Sequence, residues 1–111
     1  MSSTQNETKS ELTFKSSEFL PKSRAYNYPN PVYGKSTKIR YFLSKNSNVK
    51  IKIFDLSGES VKDFSTTGIG GMDNEVEWDV SNVQSGVYLA HIEADSGSEN
   101  SSVIIKIAVI K

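Results

Sequence analysis

The chain has 111 residues, of which 36% are hydrophobic and 23% are charged, a composition that fits one domain with a modest core. Its 13 basic and 13 acidic residues balance, so net charge does not draw it toward nucleic acid or an anionic membrane. It has no cysteine, which excludes disulfides and thiolate metal sites. No run approaches the roughly 20 apolar residues of a transmembrane helix.

Residues 1–24 are rich in Ser, Thr, Lys and Glu, a composition that predicts a flexible linker. The alternative is that Leu12-Thr13-Phe14 adds a short edge strand or packs on the following domain. We expect that domain to span residues 25–111. Because the first residues resemble a linker and lack an apolar signal core, we expect the chain to be a fragment of a longer exported protein.

Beyond residue 24, apolar side chains recur at every second position, which is typical of β-strands. Turn signals divide this region into seven predicted strands, at residues 25–33, 37–44, 48–55, 60–66, 74–80, 86–95 and 101–110. Such a series predicts an all-β fold, a seven-stranded antiparallel immunoglobulin-like sandwich. In that fold the second strand pairs with the fifth, and the third pairs with the sixth.

The order of charges supports this pairing. Every charged side chain in residues 35–52 is basic, and nearly every one in residues 55–99 is acidic. The pairing places Lys38 and Arg40 across from Glu75, Glu77 and Asp79, and places Lys50 and Lys52 near His91 and Glu93. Opposite charges across strands contribute about 0.2–1 kcal/mol per pair. We interpret the segregation as cross-strand complementarity, with a basic docking face as the alternative.

Several motif residues have structural explanations. Pro29 and Pro31, on either side of Asn30, limit strand pairing and indicate a sheet edge. Gly58 supplies the positive φ of a short hairpin loop. A second set is expected nearer the core: Trp78 between the sheets, Asp79 capping a loop, Gly86 at a bend, and Tyr88 bonding the upstream backbone through its hydroxyl. A stacking role for Trp78, or calcium binding by Asp79 with Asp73, Glu75 and Glu77, is the alternative.

No pattern in the sequence indicates catalysis, a cofactor or a metal. His91 is the only histidine, and without a cysteine or a second histidine it cannot form a nucleophilic pair or a histidine metal cluster. Residues 68–71 are glycine-rich but are not followed by the Lys-Ser/Thr of a phosphate loop. We therefore predict that the protein is not an enzyme.

One sheet face is predicted to be unusually apolar. The alternation places these residues on the outer face of the third, sixth and seventh strands: Phe54, Val87, Leu89, Ile104, Ala108 and Ile110. Such a patch indicates partner docking, or a surface covered by Leu12, Phe14 and Phe19 or by a missing parent domain. Lys111 belongs to the same predicted docking set. The last strand is also expected to be an edge that is open to pairing with another chain.

The order of the motifs resembles that of a known family. The residues that carry the resemblance are Tyr28-Pro29-Asn30-Pro31, Ile39-Arg40-Tyr41, Ile51-Lys52-Ile53-Phe54-Asp55 with Gly58, Trp78-Asp79, Gly86-Val87-Tyr88 and the closing run from Lys106 to Lys111. Over residues 25–111 they resemble the type A C-terminal sorting domain of the bacterial type IX secretion system. The pattern is shared by the immunoglobulin-like domain of the flagellar hook-capping protein.

The resemblance implies a non-catalytic module that directs an exported cargo protein to the cell surface. Implied partners are the secretion translocon, surface sorting proteins and a covalently linked upstream cargo domain, with no nucleic acid and no transmembrane segment. The implied location is secreted or on the outer cell surface, reached through the periplasm. The alternatives are a structural or adhesive spacer of a surface or flagellar protein, and a glycan-binding module using Tyr26, Tyr28 and Tyr33.

Overall fold

A computed structural model describes residues 18–111 and forms two antiparallel sheets. A short 3-10 helix, Lys22–Arg24, precedes seven strands: β1 (Ala25–Tyr28), β2 (Ser36–Leu43), β3 (Ser47–Asp55), β4 (Ser60–Gly68), β5 (Met72–Asp79), β6 (Gly86–Asp95) and β7 (Asn100–Val109). The predicted all-β immunoglobulin-like sandwich is confirmed.

The sheets have the strand orders β1-β2-β5 and β4-β3-β6-β7. The register places Ile39 opposite Val76 and Ile51 opposite Ile92, in agreement with the predicted pairing of the second strand with the fifth and the third with the sixth. β1 is shorter than predicted and ends at Tyr28. Proline has no backbone N–H, so the segment that follows Tyr28 cannot continue the ladder.

The core lies between the sheets and follows the period of two. In β3, Val49, Ile51 and Ile53 are buried while the lysines between them are exposed. Trp78 is fully buried and meets Tyr88 edge to face, with ring centroids 5.5 Å apart. Because its ring is enclosed, Trp78 fills the space between the sheets and offers no surface for a ligand.

The core also includes residues that precede β1. Phe19 and Leu20 are both buried, and the Phe19 carbonyl accepts a hydrogen bond from the Ser44 N–H at 3.1 Å. The predicted linker therefore does not apply to these two residues, because their side chains add to the apolar core. The linker prediction for residues 1–17, including Leu12-Thr13-Phe14, lies outside the described residues.

Charged pairs run along the outer face of β2 and β5. Lys38 lies opposite Glu77 and Arg40 lies opposite Glu75, whereas Asp79 lies opposite Ser36 and not a basic residue. The Arg40 Nε approaches Glu75 Oε1 to 2.8 Å, and this hydrogen bond, with the nearby Lys38 charge, lowers the pKa of Glu75. These exposed pairs add little stability, but they favour one register over a shifted one.

The glycine-rich segment after β4 packs closely against the turn between β2 and β3. The Gly70 N–H donates to Asn46 Oδ1 at 2.7 Å, and the Gly71 N–H donates to the Leu43 carbonyl at 2.7 Å. A Cβ atom on Gly70 would lie 2.5 Å from the Cα of Lys45. Glycine is therefore required here by the close approach of two backbones.

We expect Gly70→Ala to lower the free energy of unfolding by about 1–3 kcal/mol, because the added methyl group must push the Lys45 backbone away. Gly34→Ala is the matched control, since a Cβ on Gly34 would have no atom within 4 Å. Urea unfolding measures both variants. Equal midpoints for the two alanine variants would contradict the close approach.

Candidate docking surface

Four of the predicted docking residues form a continuous apolar strip on the outer face of the four-stranded sheet. Phe54 lies directly opposite Leu89, and Val87 lies directly opposite Ala108. All four side chains are half-buried. Directly opposed residues in an antiparallel pair are neighbours, and Val87 and Leu89 are two residues apart on the same face of β6, so the strip crosses β3, β6 and β7. We call these four residues the apolar strip.

Ile104 and Ile110 extend the surface at its margins. Ile104 is 51% exposed, lies opposite His91 and is a diagonal neighbour of Leu89. Lys106 occupies the position between Ile104 and Ala108 on β7, so a charge interrupts the predicted patch there. Ile110 follows the end of β7 and is also exposed. The apolar surface is therefore divided.

Lys111 does not lie with the apolar strip. Its Nζ donates to the carbonyl oxygens of Val80 at 2.6 Å and Ser81 at 3.3 Å, and its backbone N–H donates to Ser85 Oγ at 2.8 Å. The Lys111 ammonium group is therefore bound to the loop between β5 and β6 and does not lie on the sheet face. In this structure Lys111 ties the residues after β7 to that loop, and its placement with the docking set is not supported.

The outer edge of β7 is half covered. The Val32 N–H donates to the Ala108 carbonyl at 2.7 Å, and the Ile110 N–H donates to the Val32 carbonyl at 2.9 Å. The Asn30 side chain donates to the Lys106 carbonyl and accepts from the Ala108 N–H, both at 3.1 Å. The prediction of a fully open last strand is therefore wrong for residues 106–110, because residues 30–32 bond to that edge.

The other half of the edge has a different environment. Within residues 18–111, no strand pairs with the outer side of β7 at Ser102 and Ile104. A groove of about 490 Å³ lies beside it, lined in part by Ala25, Leu89 and Ile104. The unpaired backbone, the exposed Ile104 and one end of the apolar strip therefore meet at a single place.

Two buried polar residues position the Pro29–Pro31 segment. Asn27 Nδ2 donates to Thr37 Oγ1 at 3.1 Å and to the Pro29 carbonyl at 3.2 Å, and Thr37 Oγ1 donates to the same carbonyl at 2.9 Å. Neither Asn27 nor Thr37 was among the residues predicted to have a structural or docking role. The available signal was that each is a polar residue at a core-facing position of an alternating strand.

The loop between β5 and β6, which Lys111 binds, is stabilised by its own hydrogen bonds. The Tyr88 hydroxyl donates to the Gln84 carbonyl at 2.6 Å, as the sequence pattern indicated. Asp79 Oδ1 accepts from Ser81 Oγ at 2.6 Å and from the Ser81 N–H at 2.9 Å. Gly86 is the first residue of β6, and a Cβ added to it would lie 3.7 Å from the Tyr88 ring, an ordinary contact distance. These contacts order the loop before β6, and the bonds from Lys111 connect that loop to the end of β7.

The remaining turn and the acidic residues show no metal-binding arrangement. Gly58 has φ of +90°, and its N–H donates to the Asp55 carbonyl at 3.0 Å. Asp55 Oδ1 also accepts from Ser57 and Glu59. Across residues 18–111, no three His, Asp or Glu side chains are grouped to hold a metal ion. The acidic side chains considered for calcium bond instead to basic or hydroxyl groups, as Glu75 does with Arg40.

The fold is that of a small β-sandwich module with one partly apolar outer face. Residues 27–106 match the family model described as the secretion system C-terminal sorting domain. This range covers most of the chain, and the chain belongs to that family. The resemblance to the type IX sorting domain is thereby confirmed, and the chain is a sorting signal domain for type IX secretion.

Solved structures share the fold. Dimeric latent PorU from Porphyromonas gingivalis matches with a TM-score of 0.66 and 23% identity, over 78% of this chain and 9% of that chain. The chain thus spans less than a tenth of the length of PorU. CopC from Methylosinus trichosporium OB3b matches with a TM-score of 0.50 and 16% identity, over 77% of this chain and 92% of that chain. At these identities the likeness establishes the fold alone.

No curated protein sequence matches the chain. Among residues 18–111, no helix has the length and apolar character needed to cross a membrane.

We expect Asn30→Ala to lower the free energy of unfolding by about 1–2 kcal/mol, because it removes two hydrogen bonds to β7. Amide exchange should accelerate most at Ala108, whose N–H loses its acceptor. Asn82→Ala, on an exposed loop, is the control. Unchanged exchange at Ala108 in the Asn30 variant would show that this side chain does not hold the edge.

Acid should weaken the loop after β5. The hydrogen bonds from the Ser81 hydroxyl and N–H, with the charge of Lys111, lower the pKa of Asp79. A carboxylate whose folded pKa is lowered stabilises the fold above its ordinary pKa of about 3.9, and that stability is lost as pH falls through the folded value.

We therefore expect Ser81→Ala to raise the pKa of Asp79, measured by NMR titration of its carboxyl carbon. The variant should be less stable than the parent above about pH 4, with the difference disappearing in stronger acid. Ser57→Ala is the matched control, because Ser57 bonds Asp55 in the same way. An equal change at Asp79 in both variants would rule out the local cause.

Proposed function

We propose that this sorting domain is recognised by the type IX translocon and surface sorting proteins through the open half of the β7 edge and the adjoining apolar strip. The observation that carries the proposal is that the unpaired edge at Ser102 and Ile104 adjoins the Leu89 end of the strip. A partner strand that pairs with β7 gains main-chain hydrogen bonds, and neighbouring side chains supply specificity.

The covered half of β7 has a supporting role in this proposal. Residues 106–110 bond to Asn30 and Val32, and Lys111 bonds to Val80 and Ser81. These hydrogen bonds are all made within the domain, where they hold β7 in place. Ile107 and Val109 are also buried in the core. Deleting residues 107–111 would damage the fold, so point variants on the exposed edge are the better test of recognition.

The module acts as a carrier without catalysis in this proposal. An upstream cargo domain, covalently joined before residue 1, is taken through the periplasm and the outer membrane and is released or retained at the cell surface. His91 is half-buried on β6, where it lies opposite Lys52 of β3 and Ile104 of β7. This is the setting of an ordinary surface residue of a sheet. Family membership supports the carrier role.

Ile104→Lys tests recognition without removing core. The change places a charge on the open edge, where lysine opposes strand pairing. We expect export of a reporter fused upstream of residues 1–111 to fall several-fold in a bacterium with the secretion system. Thermal unfolding should stay near that of the parent, since surface substitutions away from packed features change stability by about 0.5 kcal/mol or less.

Ile69→Lys is the matched control, because Ile69 is 58% exposed and lies in the loop between β4 and β5, away from the β7 edge. Export should be normal in this variant. If Ile104→Lys exports as well as Ile69→Lys and the parent, the edge is not the recognition site. If a fusion to the parent domain is not exported at all, a spacer role is favoured instead.

A further inference from the structure

The outer face of the β1-β2-β5 sheet carries three rows of side chains, each running from β1, or from the helix before it, across β2 to β5. The register gives the first two rows as Tyr28, Lys38 and Glu77, and Tyr26, Arg40 and Glu75. The third row is Arg24, Phe42 and Asp73, in which side-chain contacts place Arg24 beside the other two. Every row contains one aromatic, one basic and one acidic residue. In the first two rows the basic residue stands between the tyrosine and the carboxylate.

The third row is satisfied within the protein. The Arg24 guanidinium lies 4.0 Å from the centre of the Phe42 ring, and its Nη2 lies 3.1 Å from Asp73 Oδ1. The Arg24 guanidinium is attracted to the aromatic face and also reaches the carboxylate, so the three side chains of this row interact with one another. This row offers little to a ligand.

The first two rows leave their aromatic rings available. Arg40 and Lys38 both turn toward Glu75, at 2.8 and 3.6 Å. The Arg40 Nη1 reaches the Tyr26 hydroxyl only at 3.5 Å, at the edge of hydrogen-bonding distance. Tyr28 is 71% exposed and Tyr26 is 46% exposed. The two rings thus remain open to solvent beside cations that retain unused N–H donors.

A groove of about 500 Å³ lies between these groups, lined by Tyr26, Tyr28, Lys38 and Arg40 among others. The tyrosines are two residues apart on one strand, so their attachment points are about 7 Å apart on the same face. The two tyrosine rings at that spacing can each contact one unit of a ligand that is built from successive ring-shaped units. The cations form the opposite wall of the groove, and the carboxylates of β5 lie beyond them.

We propose that this groove binds an acidic oligosaccharide, such as a chain of uronic acids. The apolar face of each sugar ring stacks on a tyrosine, and the sugar carboxylates accept hydrogen bonds from Lys38 and Arg40. A neutral oligosaccharide would leave the cations unused. A nucleic acid would bring a continuous phosphate chain close to Glu75 and Glu77, on a protein of zero net charge.

Tyr33 supplies a matched control. It is 69% exposed, nearly as much as Tyr28, but it does not line the groove. Of the three tyrosines that the sequence suggested for glycan binding, the structure therefore brings two together. If an exposed tyrosine bound the oligosaccharide nonspecifically, Tyr33 would contribute as much to the affinity as Tyr28.

The test is calorimetric titration of the 111-residue chain with trigalacturonate and with maltotriose. Trigalacturonate should bind, and added salt should weaken the binding because it screens the carboxylates. Tyr28→Ala should lower the affinity by about tenfold or more, through loss of one stacking ring. Tyr33→Ala should bind like the parent, and Lys38→Gln should lose affinity for trigalacturonate.

The proposal fails if trigalacturonate does not bind at millimolar concentration, if maltotriose binds equally well, or if Tyr33→Ala loses as much affinity as Tyr28→Ala. Binding of a proline-rich peptide in place of trigalacturonate would also overturn it. None of these measurements uses export, and the groove lies on the sheet opposite the apolar strip. Failure here would therefore leave the proposed recognition through β7 standing.

Discussion

The structure depends on how residues 30–32 cross from one sheet to the other. β1 must stop at Tyr28 because proline cannot continue its ladder, and the chain then bonds to the edge of β7 through Asn30 and Val32. This crossing closes one side of the sandwich at the end where β7 finishes. Among residues 18–111, it also determines which part of β7 has no strand paired to its outer side.

The two sheets divide the surface into unlike faces. The four-stranded sheet carries the apolar strip and the open edge, while the three-stranded sheet carries ordered rows of aromatic, basic and acidic side chains. Both sheets pack on the same core, and their outer faces point in opposite directions. This arrangement places the surface that we propose for recognition and the groove that we propose for an acidic oligosaccharide on different sheets.

The backbone pattern was predictable from sequence, whereas the reach of individual side chains was not. The alternation of apolar residues in β3 and β6 and the order of charges in β2 and β5 were enough to predict these strands and their pairing. Both signals depend on the register, because a shift of one residue would move every side chain to the other face. Lys111 was misplaced because a long flexible side chain can reach carbonyl groups far from its own face. Phe19 and Leu20 were assigned to a linker because two apolar residues form no period.

The attachment of Phe19 to Ser44 has a mechanical consequence. Ser44 follows the last residue of β2, whereas Lys111 binds beside Val80, close to the first residues of β2. Phe19 therefore lies at one pole of the sandwich, and the end of β7 is bound at the other. A pull between these poles acts along the strands and loads their hydrogen bonds in shear, many at once.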